Sequence, residues 1–403
     1  MTPRLQGKTM TTQDTQIPAG PPRGLLALLA LANFIIGMGA FVVVGILTPF
    51  AADMGVSRAT AGWLMTAYAL VYAVASPPLV ALTGGLDRKV VLLAGLVLFG
   101  LGAAAAALSP SFSAVLAARA LMALGGGLVT PVCASVAVGL TPPADRGRAL
   151  ATVFGGLTLA QVLGVPVGAW LGYQLGWQAA FAAVAVLTVA VLVALGALVP
   201  RGIAVPRASL AALGQVLSSG WRMGAVGFTV LFVGGLYCVY PYFAALIEAR
   251  LGLGRDGVSL MLLTFGGGAV IGNGVGGRMA DRIGSNQTLL ILCAAQVVIL
   301  PLVAWVSLPF VPMAILVAIW SVFTWSFMAP QQARLAGLDA PRTPILFALN
   351  ASAIYVGASV GTFAGGLVLD GTGGFAALGL AGAAFMLAAA WSIWAVARAI
   401  VMR

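Results

Sequence analysis

Two related segments, GGRMADRIG (276–284) and TGGLDRK (83–89), place charged residues beside glycine pairs between long apolar stretches. Asp281 follows Asp87 at a distance close to half of the 403-residue chain. The sequence returns to apolar residues after each segment. This repetition predicts that the chain consists of two duplicated halves.

The composition indicates that most of the chain is surrounded by lipid. Charged residues make up only 7% of the chain and hydrophobic residues 61%, and the mean hydropathy is +1.09. So few charges cannot cover the surface of a soluble protein of this length. The apolar runs have the length of a helical membrane crossing, about 20 residues, and lack the alternation of membrane β-strands. We therefore predict an all-α membrane protein.

Breaks rich in charge, glycine and proline divide the chain into twelve apolar runs. These lie near 24–50, 61–83, 90–109, 112–139, 149–172, 176–199, 220–246, 257–275, 287–307, 310–333, 343–368 and 374–397. With both termini inside, sixteen of the twenty basic residues face the cytoplasm, and only Arg58, Arg250 and Arg255 face outward. The positive-inside rule favours this orientation. The prediction is twelve transmembrane helices with both termini cytoplasmic.

The duplication predicts four segments along the chain. Residues 1–22 form a cytoplasmic tail, 23–199 the first six-helix bundle, 200–219 a cytoplasmic connector, and 220–403 the second six-helix bundle. Pro49 and Pro241 are expected to end the first helix of each bundle. Two such halves, each containing a 3+3 inverted repeat, place a shared binding cavity near the middle of the membrane.

Several classes of function are disfavoured by the residues present. Histidine is absent, and Cys133, Cys238 and Cys293 stand alone in apolar runs, so neither a metal site nor a disulfide framework is predicted. The basic residues are dispersed, which argues against nucleic-acid binding. No catalytic arrangement of carboxylates lies at membrane depth, so we predict no enzyme activity and no cofactor. The expected partners are the lipid bilayer and a small-molecule substrate, and a single chain can form the whole pathway as a monomer.

The segment GGRMADRIG resembles the loop signature of the major facilitator superfamily, in which a glycine and three residues precede Asp-Arg-x-Gly; TGGLDRK resembles a degenerate copy. Further segments, among them PFAADMGVS, RALMALGGG, TPPADRGRA and GGLTLAQVLGVPVGAWLG, are similar to the drug:proton antiporter group, especially its arabinose and sugar efflux permease branch. The resemblance covers nearly the whole chain after residue 24. It implies efflux, including multidrug efflux, across a bacterial cytoplasmic membrane by alternating access.

The two charged segments are candidates for conformational gating. Asp87, Arg88, Asp281 and Arg282 are expected to fasten the cytoplasmic side, with each aspartate at the positive end of the following helix. The alternative is a static loop that only sets topology. In the fifth helix, Pro166 is expected to bend the backbone, and the glycines around it to allow close contact with the opposite half.

The carboxylates leave proton coupling open. The resemblance implies that Arg119, in the fourth helix, takes part in ion coupling or sets the electrostatic potential of the cavity. The alternative is that its side chain snorkels to the outer membrane interface. Efflux relatives often carry an acid in a first-helix stretch resembling GTTEFV, whereas this chain reads GMGAFV with Ala40 at that position. All nine carboxylates fall in the tail, loops or helix ends. Proton coupling would therefore depend on Asp53, Glu248 or Asp370; otherwise the protein is a facilitator or uses another gradient.

The cavity lining is predicted from polar and aromatic residues of the central helices. Tyr68 and Tyr72 share one helix face, as do Tyr237 and Tyr240, so tyrosines of the two halves are expected to meet. Such a lining suits a neutral or anionic amphipathic solute better than a hydroxyl-rich sugar or a cationic drug. The full set of predicted substrate-binding residues is Asn33, Phe41, Tyr68, Tyr72, Arg119, Gln161, Tyr237, Tyr240, Trp320, Trp325, Asn350 and Tyr355.

Overall fold

The computed structural model of the protein describes residues 24–142, 145–203, 210–339, 342–372 and 374–401, so the predicted tail lies outside the described residues. Within them, twelve helices are long and apolar enough to cross a membrane. They are α1 Leu25–Met54, α2 Arg58–Gly85, α3 Arg88–Leu108, α4 Phe112–Leu140, α5 Arg148–Leu175, α6 Trp177–Leu198, α7 Gly220–Leu251, α8 Asp256–Ile283, α9 Ser285–Trp305, α10 Phe310–Leu338, α11 Ile345–Gly371 and α12 Ala376–Ala399. The predicted number of spans and their helical nature are confirmed.

We call α1–α6 the N-half and α7–α12 the C-half. The predicted connector, 200–219, contains a short helix, Leu210–Leu217, and its residues 204–209 lie outside the described residues. Because successive spans alternate in direction, the start of α1, the connector and the end of α12 lie at one end of the molecule, which we call the terminal face. The other end is the opposite face.

Glycines rather than prolines end the first helix of each half. Pro49 lies inside α1, which continues to Met54, and Pro241 lies in a 3₁₀ turn inside α7, which continues to Leu251. The expectation that these prolines end the helices is wrong. Gly55 and Gly252 follow the true ends with φ of 62° and 64°, a left-handed conformation that glycine adopts without steric cost and that closes many helices.

The halves pack against each other through few helices. Within the N-half, α1 packs on α5, and α3 on α4 and α6; within the C-half, α7 packs on α11 and α12, and α8 on α10. Between the halves, α2 packs on α11 and α5 on α8, and the last part of α7 contacts α1. The interface therefore consists mainly of two helix pairs that correspond under the duplication, and α1 with the last part of α7 adds a smaller contact.

The glycines of α5 pack against their own half, which corrects the prediction of contact with the opposite half. An added Cβ at Gly156 would overlap the Ala30 carbonyl oxygen of α1, and one at Gly164 would lie 3.1 Å from the Met38 side chain. Gly168 and Gly172 face α1 in the same way. Small residues permit this close approach of two helix backbones, and the partner is α1 because α1 and α5 lie side by side within one bundle.

Candidate functional site

Tyrosines from both halves meet in the middle of the interface. The Tyr72 ring of α2 stacks on the Tyr355 ring of α11, with centroids 3.7 Å apart and planes at 23°. The Tyr68 ring, one turn away on α2, lies 6.2 Å from that of Tyr72. On α7, Tyr237 is close enough to Tyr355 for the two side chains to interact electrostatically. We call these four residues the tyrosine cluster, and it brings together four of the predicted substrate-binding residues.

Arg119 is fully buried inside the N-half, where backbone carbonyls surround its charge. Its Nη2 donates to the Ala40 carbonyl of α1 at 3.0 Å, its Nε to the Leu64 carbonyl of α2 at 3.2 Å, and its Nη1 to the Gly39 carbonyl. The guanidinium also lies 4.4 Å from the centre of the Tyr68 ring, a cation–π contact. Arg119 thus connects α4 to α1 and α2, and it contacts the tyrosine cluster through Tyr68 from inside the N-half.

Two buried amides of the N-half keep a free acceptor. Asn33 donates to the Val153 carbonyl of α5 at 3.1 Å, while its Oδ1 has no partner among the described residues. Gln161 lies in a π-helical turn of α5, Ala160–Gly164, and its Oε1 is likewise without a partner in the described chain. At this turn Gly266 of α8 approaches the α5 backbone so closely that a Cβ there would overlap it. Gln161 therefore lies at the interface, whereas Asn33 lies within the N-half.

The third predicted amide belongs to a polar group inside the C-half. The Asn350 Oδ1 of α11 accepts a hydrogen bond from the Thr229 hydroxyl of α7 at 2.5 Å and from the Gln331 amide of α10 at 3.4 Å. Gln331 also donates to the Ala225 carbonyl at 2.9 Å. These bonds join α7, α10 and α11 within one half. Thr229 and Gln331 were not predicted, because their partners come from distant parts of the sequence.

The remaining predicted aromatics pack mainly within one half. Tyr240, 5.9 Å from Tyr237, stacks on Phe265 of α8 at 4.5 Å. Trp320 of α10 is fully buried and packs edge-on against Phe265 at 4.8 Å. Trp325 is partly buried at the end of the first segment of α10, and Phe41 is buried on α1. The structure does not bring Trp320 into contact with the tyrosine cluster.

Side-chain contacts between the halves continue toward the opposite face. The Tyr173 hydroxyl of α5 donates to the Glu248 carboxylate of α7, and the Ser57 hydroxyl donates to Asp370 of α11 at 3.5 Å. Further contacts between the halves in the middle or at this face include the Ser359 hydroxyl bonded to the Thr66 carbonyl at 3.3 Å and the Trp63 ring 5.3 Å from that of Phe363. The halves are therefore joined at the opposite face, and the sequence did not predict the Tyr173 contact because no local pattern marks it.

Tyr242 fills the seam between α2 and α11 near the opposite face. Its hydroxyl donates to the Thr362 carbonyl at 2.9 Å. A Cβ at Gly62 of α2 would overlap this hydroxyl, and one at Gly366 of α11 would lie 2.9 Å from it. The two glycines thus make the space for one tyrosine side chain. Their position on facing helices of the two halves is visible only in the fold.

The two Asp-Arg segments differ at the terminal face. Asp87 caps α3 by accepting from the Lys89 amide at 2.8 Å, and it accepts from the Gly202 amide of the connector at 3.0 Å. These two bonds, led by that of Gly202, lower the pKa of Asp87 below its ordinary value. The Arg88 Nη2 donates to the Gly84 carbonyl at 3.2 Å. The first aspartate therefore stands at the start of the following helix, as predicted.

The second segment does not repeat this geometry. Asp281 and Arg282 lie in the last turn of α8, because that helix continues to Ile283 and ends at Gly284. Both side chains are exposed, without a hydrogen bond or ion pair in the described chain. The expectation that Asp281 begins the next helix is wrong. The glycine of this segment matters instead, since a Cβ at Gly276 would overlap the Ser326 carbonyl oxygen of α10.

Comparison with known proteins identifies the family. The family model described as Major Facilitator Superfamily matches residues 29–362. The chain belongs to the major facilitator superfamily. It is 30% identical over 345 residues to the uncharacterized MFS-type transporter YbcL of Bacillus subtilis (strain 168), covering 85% of this chain and 88% of that protein. It is 30% identical over 358 residues to the inner membrane transport protein YdhP of Escherichia coli (strain K12), covering 89% and 92%.

Solved structures share the fold of this major facilitator protein. A bacterial homolog to the human lysosomal transporter Spinster, in an inward-facing and unoccupied conformation, superimposes with a TM-score of 0.72 at 16% identity, covering 93% of this chain and 96% of that one. The same homolog in an inward-facing and occupied conformation gives 0.74. The predicted fold of the superfamily is confirmed. The protein is a multi-pass transporter of the bacterial inner membrane and not an enzyme.

Proposed function

We propose that this major facilitator protein exports a small neutral or amphipathic compound, such as a hydrophobic drug or metabolite, by alternating access. The stack of Tyr72 on Tyr355 carries the proposal, because it places aromatic surface from both halves at mid-membrane. Aromatic side chains with a few polar groups bind amphipathic solutes well. Tyr68 and Tyr237 extend this surface along α2 and α7. The remaining predicted lining residues stay candidates for contact with the solute as the halves move.

The distribution of charge supports a cytoplasmic terminal face. Of the fifteen basic residues in the described part of the chain, eleven lie toward the terminal face, three lie toward the opposite face, and Arg119 lies within the N-half. With a cytoplasmic terminal face, a state whose halves are joined at the opposite face would open toward the cytoplasm. Asp87, Arg88, Asp281 and Arg282 would fasten the terminal face in the other state. Pro166, next to the π-helical turn of α5, would absorb the bending between the two states.

The carboxylates argue against proton transfer at mid-membrane. Each Asp and Glu in the described chain lies in a loop or within a few residues of a helix end. Arg119 is surrounded by carbonyls, among them that of Ala40, where efflux relatives often carry an acid. The interior therefore provides no titratable group of the usual kind. This favours export without a mid-membrane proton carrier, or facilitated diffusion.

The second candidate is a sugar or small-metabolite efflux permease. The free acceptors Asn33 Oδ1 and Gln161 Oε1 favour it, because buried acceptors gain when a hydroxyl-bearing solute donates to them. Only Gln161 of the two lies at the interface. Neutral amphipathic solutes remain the first proposal, since the interface offers more aromatic surface than hydrogen-bonding groups.

Flux through purified protein in liposomes tests the proposal. A neutral chloramphenicol-like compound and labelled arabinose are compared, with and without an imposed pH gradient. We expect flux of the amphipathic compound that falls at least about tenfold in Tyr72→Ala and Tyr355→Ala, equivalent to the loss of about 1.4 kcal/mol of binding. Trp391→Ala, at a lipid-exposed position, serves as the control and keeps its flux. Transport of arabinose alone would select the second candidate.

A further inference from the structure

A groove runs between α2 of the N-half and α11 of the C-half near the opposite face, with a volume of about 60 Å³. Four residues of α2, from Ala59 to Thr66, and five residues of α11, from Thr362 to Asp370, form its walls. They lie on one face of each helix, because they recur at steps of three or four residues. The groove therefore follows the boundary between the halves for about two helical turns.

Tyr242 of α7 closes the inner side of the groove, and two aromatic rings border its outer side. The Tyr242 hydroxyl lies against Gly62 and Gly366, which both line the groove. On the outer side, the rings of Trp63 and Phe363 pack edge-on with centroids 5.3 Å apart. These two residues are 44% and 41% exposed and belong to membrane-spanning helices, so they face lipid. The groove therefore opens toward the bilayer and away from α7.

Two opposite charges lie at the rim of the groove. Asp370 is exposed, accepts from the Ser57 hydroxyl at 3.5 Å, and interacts electrostatically with Tyr242 behind the groove. Arg58, the first residue of α2, is half-buried, and its guanidinium lies 5.8 Å from the Phe375 ring centre. Neither charge forms an ion pair within the described part of the chain. A carboxylate and a guanidinium therefore lie at the helix ends, where the polar headgroups of the bilayer begin.

The size and the charges of the groove match an ethanolammonium group. Holding one water takes about 10–15 Å³ of such volume, so about 60 Å³ accepts roughly four non-hydrogen atoms. An ammonium with N–H groups can donate to Asp370, and the Trp63 ring attracts its positive charge. The phosphate of the same headgroup is an acceptor for the Arg58 guanidinium. A trimethylated ammonium lacks N–H donors and is larger, so it fits the groove poorly.

We propose that this groove binds the headgroup of a phosphatidylethanolamine molecule from the leaflet at the opposite face. The ammonium enters the groove and donates to Asp370, and the phosphate stays at the rim beside Arg58. The acyl chains pass over the exposed rings of Trp63 and Phe363 into the bilayer. The site is distinct from the tyrosine cluster and does not depend on which solute the protein transports.

Native mass spectrometry of the full chain measures which lipid stays bound. The protein in detergent is mixed with equal amounts of phosphatidylethanolamine, its N,N-dimethyl derivative and phosphatidylcholine, all with identical acyl chains. These lipids have the same charges, but the number of hydrogens on the ammonium falls along the series to none. We expect phosphatidylethanolamine to be retained about fivefold over phosphatidylcholine, the upper range for one exposed ion pair, with the dimethyl lipid between them.

Variants separate the parts of this site. Asp370→Asn removes the charge and keeps the shape, whereas Ala59→Leu keeps the charge and fills the groove. In both, the preference for phosphatidylethanolamine over phosphatidylcholine is expected to disappear. Arg58→Gln is expected to weaken binding of both lipids alike and to keep the preference. Asp256→Asn, which changes a carboxylate at the same face but outside the groove, is the control and keeps the preference of the parent.

Several outcomes would overturn the inference. These are equal retention of the three lipids by the parent, a parental preference in Asp370→Asn, and loss of the preference in Asp256→Asn. A parental preference in Ala59→Leu would also overturn it, because the ammonium would then bind outside the groove. Asp370 is exposed, so the thermal midpoint of Asp370→Asn in detergent is expected to equal that of the parent. The measurement needs no transport, so absence of flux of the amphipathic compound would reject only the proposed function.

Discussion

The two halves share one arrangement of helices but hold themselves together differently. In the N-half, a buried arginine, Arg119, bonds to carbonyls of α1 and α2. In the C-half, Thr229, Gln331 and Asn350 bond to one another, and the buried Arg334 donates to the Gln331 side chain at 3.5 Å. Close glycine contacts occur in both. The comparison indicates that backbone packing is the shared part of the duplication, while the polar interior has diverged.

The largest expected effect on stability tests the close helix packing at glycines that both halves share. Gly156→Ala in the N-half and Gly276→Ala in the C-half would each push a Cβ into a carbonyl oxygen of the neighbouring helix. We expect each to lower the free energy of unfolding by about 1–3 kcal/mol or more, visible as a lower thermal midpoint in detergent. The adjacent Gly155→Ala and Gly277→Ala are matched controls, since their Cβ atoms meet nothing closer than 3.9 Å. Equal midpoints for test and control variants would contradict the packing argument.

The next effect concerns the N-half interior. Arg119→Lys keeps the positive charge but cannot donate to three separated carbonyls with the planar fork of arginine. We expect a loss of about 2 kcal/mol in the free energy of unfolding, roughly the energy of lost charge-assisted hydrogen bonds, measured by thermal unfolding. Arg398→Lys, where the guanidinium stacks on Trp394 near the terminal face, is the control. Stability equal to the parent would show that the carbonyl contacts of Arg119 do not matter.

The corresponding change in the C-half is expected to be smaller. Asn350→Leu leaves the Thr229 hydroxyl and the Gln331 amide without their shared acceptor, although Gln331 keeps its bond to Ala225. A cost of about 1–2 kcal/mol follows from partly unsatisfied buried groups. The double variant Asn350→Leu with Thr229→Val should recover part of it. A double variant that loses the sum of both single effects would argue against one connected group.

The smallest effect distinguishes the two Asp-Arg segments. Asp87→Ala removes a helix cap and a bond to the connector, whereas Asp281→Ala removes an exposed side chain without partners in the described chain. We expect a slightly lower thermal midpoint for Asp87→Ala only. Because the pKa of Asp87 is lowered, its contribution is present above the ordinary carboxyl pKa and is lost as the pH falls through the folded value. The difference between the variants should therefore vanish in acid; a difference that persists there would exclude the carboxylate as its cause.

The sequence predicted the spans and the duplication because these depend on composition and on the spacing of charges. It predicted that the Tyr68–Tyr72 face meets the Tyr237–Tyr240 face, whereas the ring that stacks on Tyr72 is that of Tyr355 and Tyr240 stacks on Phe265. It could not predict which helix each glycine of α5 faces, since the same spacing suits any neighbouring helix. It also placed Asp281 at the start of a helix, because the break between α8 and α9 depends on Gly284, three residues later in the same segment.

The π-helical turn of α5 extends the length over which the glycine row of α5 stays aligned with α1. Gly156, Ala160, Gly164, Gly168 and Gly172 face α1 at steps of four residues. In a regular α-helix with about 3.6 residues per turn, each such step rotates the contact by about 40°, so a row this long would leave the partner helix. The wider turn at Ala160–Gly164 unwinds part of that rotation. A single irregular turn thereby lets a four-residue period extend along a straight seam.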